Sequence, residues 1–68
     1  MSEELSTLGR NIHVILFDKK MSRQELADKV GVSQQMVSDI IHAKKSPKAE
    51  TLIKIAKALG VKVDDLIK

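Results

Sequence analysis

A chain of 68 residues with no cysteine has room for one small domain and no disulfide or thiolate-bound metal to support it. With no tryptophan or tyrosine and a single phenylalanine, Phe17, its core has to be aliphatic. The formal net charge of +3 and sequence pI near 9.4 suit a nucleic-acid partner and equally an ordinary basic surface. The opening MSEELS lacks the positive charge of a signal peptide. The longest apolar run, residues 14–17, is far too short to span a membrane, so a cytoplasmic protein with no membrane partner is expected.

Residues 1–4 are expected to fray. The helical spacing of Leu5, Leu8, Ile12, Ile15 and Leu16 predicts a first helix over residues 5–18 with those side chains as its buried stripe. Gly9 weakens this helix by about 1 kcal/mol relative to alanine and suits a close approach by another helix. Arg10, His13, Val14 and Phe17 fall on a different face, where the two apolar side chains stand out. Residues 19–21 make a turn. Ser22 and Glu25 then have the spacing of a capping box, in which each side chain accepts from the other's backbone N–H. A second helix over residues 23–30 buries Leu26, Ala27 and Val30. Gly31 stops it, because glycine takes the left-handed conformation without a Cβ clash. Ser33 caps a third helix over residues 34–42, with Val37, Ile40 and Ile41 inward and Gln34-Gln35 opening a polar outer face. Helices joined by so tight a turn cross steeply, and small Ala27 suits their closest approach.

Residues 43–48, AKKSPK, form a basic loop in which Ser46-Pro47 reads as a cap followed by a first-turn proline. A fourth helix carries Leu52, Ile55, Ala56 and Leu59 on one face and stops at Gly60. VKVDDLIK predicts a short fifth helix with an acidic first turn, Asp64-Asp65, that buries Val63, Leu66 and Ile67. The expected fold class is all-α: five short helices in a single domain over residues 1–68.

The stretch SRQELADKVGVSQQMVSDI, a basic loop, Pro47 and ETLIKIAKALGVKVDDL together resemble the lambda-repressor-like (Cro/repressor-type, XRE) helix-turn-helix proteins over about residues 8–66. The likeness is specific because Glu25-Leu26-Ala27, Gly31-Val32-Ser33, Val37-Ser38, Pro47 and the tail from Leu52 to Leu66 hold together. It implies a five-helix lambda-repressor-like DNA-binding domain with the helix-turn-helix at helices two and three. It also implies a third helix in the major groove, and a homodimer on a two-fold operator that regulates transcription. Position by position, it implies base reading by Gln34, Gln35, Met36 and Asp39. The chemistry agrees: a glutamine amide carries the donor and acceptor that match adenine N7 and N6, a methionine suits a thymine methyl, and a carboxylate accepts from cytosine N4 or repels wrong sequences. Phosphate contacts are implied for Ser22, Arg23, Ser33, Ser38, Lys44, Lys45 and Lys48, helped by the tendency of helix N-termini to attract anions.

Three positions depart from the family pattern. Leu16 and Ile41 stand where a paired arginine and glutamate are common, and an apolar contact between them is expected, since such replacements are often neutral or stabilising. Ala43 stands where a glycine usually follows the third helix, so it should carry a positive φ or the helix should end differently. His42 replaces a residue that often meets phosphate.

An enzyme is disfavoured. His13 and His42 are far apart in sequence, no carboxylate cluster has metal-ligand spacing, and the serines lie mostly at cap positions. No cofactor and no small-molecule ligand are expected. A protein-binding module on the same fold stays open as an alternative, because Val14, Phe17 and the tail over residues 61–67 offer apolar surface beyond what a core needs, and an antitoxin or a restriction-modification controller stays open because both kinds use this fold alone.

Overall fold

The computed structural model describes residues 7–68. They form α1 (Thr7–Lys19), α2 (Arg23–Val30), α3 (Gln34–Ile41), α4 (Ala49–Leu59) and α5 (Val63–Ile67). The expected fraying of residues 1–4 and the burial of Leu5 lie outside the described residues. α1 packs on α3 and α5, α2 on α3 and α4, and α4 on α5.

Each helix adds its apolar stripe to one aliphatic core: Ile12 and Leu16, then Leu26, Ala27 and Val30, then Val37, Ile40 and Ile41, then Ile55, Ala56 and Leu59, then Leu66. No polar or charged residue is buried among those described. Leu16 and Ile41 both lie in this core, where a charged pair would have to be desolvated. Leu8, Ile15, Leu52 and Val63 pack on its edge, half-buried. Ile67 corrects the expectation: it is 54% exposed, and in this short helix Leu66 is buried while Val63 packs on the core edge. Gly9 is buried against α3, and a Cβ on it would overlap the Ile41 carbonyl, so the close approach does occur there.

The ends of α1 to α4 share one device. A residue in the left-handed region is followed by an N–H that reaches back five residues. Lys20 (φ 55°), Gly31 (φ 86°), Ala43 (φ 61°) and Gly60 (φ 71°) take the left-handed position. Met21, Val32, Lys44 and Val61 donate to the carbonyls of Leu16, Ala27, Asp39 and Ala56 at 2.9, 3.0, 2.7 and 3.0 Å. Met21, Val32 and Val61 also pack on the core, whereas Lys44 is exposed. The chain is therefore pulled inward after three helices and released outward after α3.

Three helix boundaries differ from expectation, the first being α1, which runs one residue further, to Lys19. α3 ends at Ile41, and His42 is its C-terminal cap. α4 begins at Ala49 with Lys48 as the extended residue before it (φ −71°, ψ 161°), so Ser46 is not its cap and Pro47 is not in its first turn. The proline holds Ser46 out of the helical region, and Lys48 stays extended beyond it. No side chain caps α4. Its first backbone bond runs from Leu52 N to Lys48 O at 2.9 Å.

Candidate nucleic-acid interface

Side chains cap the first turns of both α2 and α3. Ser22 Oγ accepts from Glu25 N at 3.0 Å while Glu25 Oε1 accepts from Ser22 N at 3.0 Å, so the capping box forms. Ser33 Oγ accepts from Met36 N at 3.1 Å. Between them Ala27 O accepts from Gly31 N and Val32 N, at 2.8 and 3.0 Å, which closes the turn. In both serines an acceptor site of the hydroxyl serves its own helix and the O–H proton remains able to donate outward.

With Val37, Ile40 and Ile41 held in the core, the opposite side of α3 must face out. Gln34 and Gln35 are exposed, and Ser38 and Asp39 are half-buried beside them. Arg23, from the first turn of α2, joins Gln34, Gln35 and Ser38 around one open depression. A guanidinium, two amides and a hydroxyl thus converge there, a donor-rich surface with acceptors on the glutamines. Met36 differs from its companions: it is half-buried and packs on the core, so only part of its side chain is on the surface. Asp39 is already engaged, accepting from Gln35 Nε2 through Oδ1 at 2.9 Å.

The loop after α3 carries Lys44, Lys45 and Lys48, all exposed. It is tied to the end of α3 by Ala43 N to Ile40 O at 3.2 Å, and by Lys44 N and Lys45 N to Asp39 O at 2.7 and 3.3 Å. Arg23 borders the start of α3 and the lysines follow its end, so positive charge brackets a helix about 12 Å long. His42 sits half-buried at the junction. α3 has no acidic residue in its first turn, which leaves the positive end of its dipole unopposed there.

Three features of this arrangement went unread in the sequence. The i,i+4 spacing of Gln35 and Asp39 signals their bond, as it does for Gln24 Nε2 and Asp28 Oδ1, also 2.9 Å apart. Lys20 in the left-handed region has no local signal. Asn11 ties α1 to the end of α5, its Nδ2 donating to Leu66 O at 2.7 Å and Lys68 O at 3.1 Å, across a separation no pattern reveals. Among the described residues no helix is long and apolar enough to cross a membrane.

A family model described as helix-turn-helix matches residues 18–66. Over 61 residues the chain is 31% identical to the immunity repressor protein of Bacillus phage phi105, covering 90% of this chain and 42% of that one. Over 56 residues it is 39% identical to Multiprotein-bridging factor 1 of Saccharomyces cerevisiae, covering 82% of this chain and 37% of that one. The chain therefore spans about two fifths of the length of these relatives. Its structure is similar to that of the P22 c2 repressor protein in complex with a synthetic operator, with a TM-score of 0.83, 30% identity, and coverage of 90% of this chain and 92% of that one. The chain belongs to the XRE-type helix-turn-helix family.

Proposed function

We propose that residues 1–68 act as one domain that binds double-stranded DNA in a sequence-specific way and represses transcription in the cytoplasm as a homodimer on a two-fold operator. The observation that carries this reading is the depression shared by Arg23, Gln34, Gln35 and Ser38. It sets a phosphate-seeking cation beside two outward amides on one end of a helix, the arrangement that the major groove rewards. Gln34 and Gln35 read bases, Met36 lends its exposed part to a thymine methyl, and Asp39 lies beside them, bonded to Gln35. Ser22, Arg23, Ser33, Ser38, Lys44, Lys45 and Lys48 meet phosphates. The phage repressors among the relatives support a repressor role, and catalysis has no part in this reading.

A second reading, in which the domain joins other proteins, draws support from the likeness to the yeast bridging factor and from Phe17, 80% exposed, beside Val14, 49% exposed. Selecting bound sequences from random duplexes separates the two. The DNA reading predicts two enriched half-sites related by two-fold symmetry, spaced by whole turns of about 34–36 Å. An unenriched pool overturns it in favour of the bridging role. A single unpaired half-site, with a monomer in sedimentation, overturns the homodimer.

A further inference from the structure

We propose that Asp39 is a positioning residue, not a base reader: it fixes the amide of Gln35 in one orientation and thereby makes Gln35 select adenine over guanine. The inference rests on the DNA-reading proposal and goes beyond it by naming how one position of the operator is chosen. The starting point is the 2.9 Å bond from Gln35 Nε2 to Asp39 Oδ1, within a single helix. An ionised carboxylate accepts hydrogen bonds and donates none. It therefore holds the nitrogen of the amide towards itself and turns the oxygen away, an orientation that a free glutamine would leave undecided.

The donor count then decides the base. A free glutamine amide offers two N–H groups and one oxygen, and it can meet either purine in the major groove. Guanine presents two acceptors, O6 and N7, and asks for both N–H groups. Adenine presents one acceptor, N7, and one donor, N6, and asks for one N–H and the oxygen. With one N–H spent on Asp39, Gln35 keeps one donor and one acceptor facing out, which is the adenine pattern. The same bond explains an acidic residue on a surface meant for a polyanion: the carboxylate is turned along the helix to its partner. Gln24 and Asp28 make an identical pair on α2, with Gln24 and Asp28 both exposed and absent from the residues around the Arg23 depression. That pair is the internal control.

The test selects bound sequences from random duplexes with the wild-type chain and with Gln35→Ala, Asp39→Ala and Asp28→Ala. The operator position that loses its preference in Gln35→Ala should favour adenine over guanine by about tenfold or more in the wild type. In Asp39→Ala that ratio should fall below about threefold at that position alone, and Asp28→Ala should change nothing. A wild-type ratio retained in Asp39→Ala overturns the proposal, as does a preference lost at a different position, which would make Asp39 a reader in its own right. A second measurement needs no DNA. The side-chain amide resonances of Gln35 in the free protein should move in Asp39→Ala, and an unmoved pair overturns the lock while leaving DNA binding intact. A wild-type pool with nothing enriched overturns both.

Discussion

Ala43 holds a backbone conformation, φ 61°, that costs an L-residue about 1–2 kcal/mol and costs glycine almost nothing. It persists because the end of α3 is fixed from both sides, by its own N–H to Ile40 O and by Lys44 N to Asp39 O. Ala43→Gly should therefore stabilise the chain by about 1 kcal/mol, the relief being partly offset by the entropy glycine loses on folding. In a domain of this size that is a rise of about 4–8 °C in the thermal midpoint. An unchanged or lower midpoint would mean that the strain is absent. This position was legible in advance only because the family pattern puts glycine there; Lys20, with φ 55°, is equally unusual and nothing near it in sequence says so.

At the level of the helix, what the sequence discloses depends on how local the interaction is. The capping box of α2, the serine before α3 and the glycine stop after α2 are written within a few residues of one another, and all three form. The buried stripes follow from spacing alone. The start of α4 was misplaced because Ser46-Pro47 has the composition of a helix start, while the extended backbone of Lys48, which settles the boundary, leaves no such trace. The Asn11 tether was invisible because it spans 55 positions. Asn11→Ala removes a donor shared by Leu66 O and Lys68 O, and should cost about 1–2 kcal/mol overall. Amide exchange should accelerate first in α5, the element with least buried surface of its own. Uniform acceleration across all helices would show that α5 is held by its core contacts alone. The outward face of α3 was legible as a polar stretch; its meaning came from the pattern around it, since two glutamines by themselves describe any wet helix.

For the molecule as a whole, charge and shape divide the work. In the proposed reading, Arg23 at one end of α3 and Lys44, Lys45 and Lys48 at the other supply attraction that is blind to sequence, whereas Gln34 and Gln35 between them supply discrimination. Replacing any one of the three lysines with a neutral residue should weaken binding on all duplexes alike and reduce the slope of log affinity against log salt by about 1. An unchanged slope in all three variants would remove the loop from the interface. The most direct measurement of the central claim is the affinity of Gln34→Ala and Gln35→Ala for the selected operator and for random duplex, side by side at one salt concentration. A loss of about 1–3 kcal/mol per substitution is expected on the operator and almost none on random DNA. Equal losses on both would contradict it, because the outward amides of α3 would then be holding DNA without reading it.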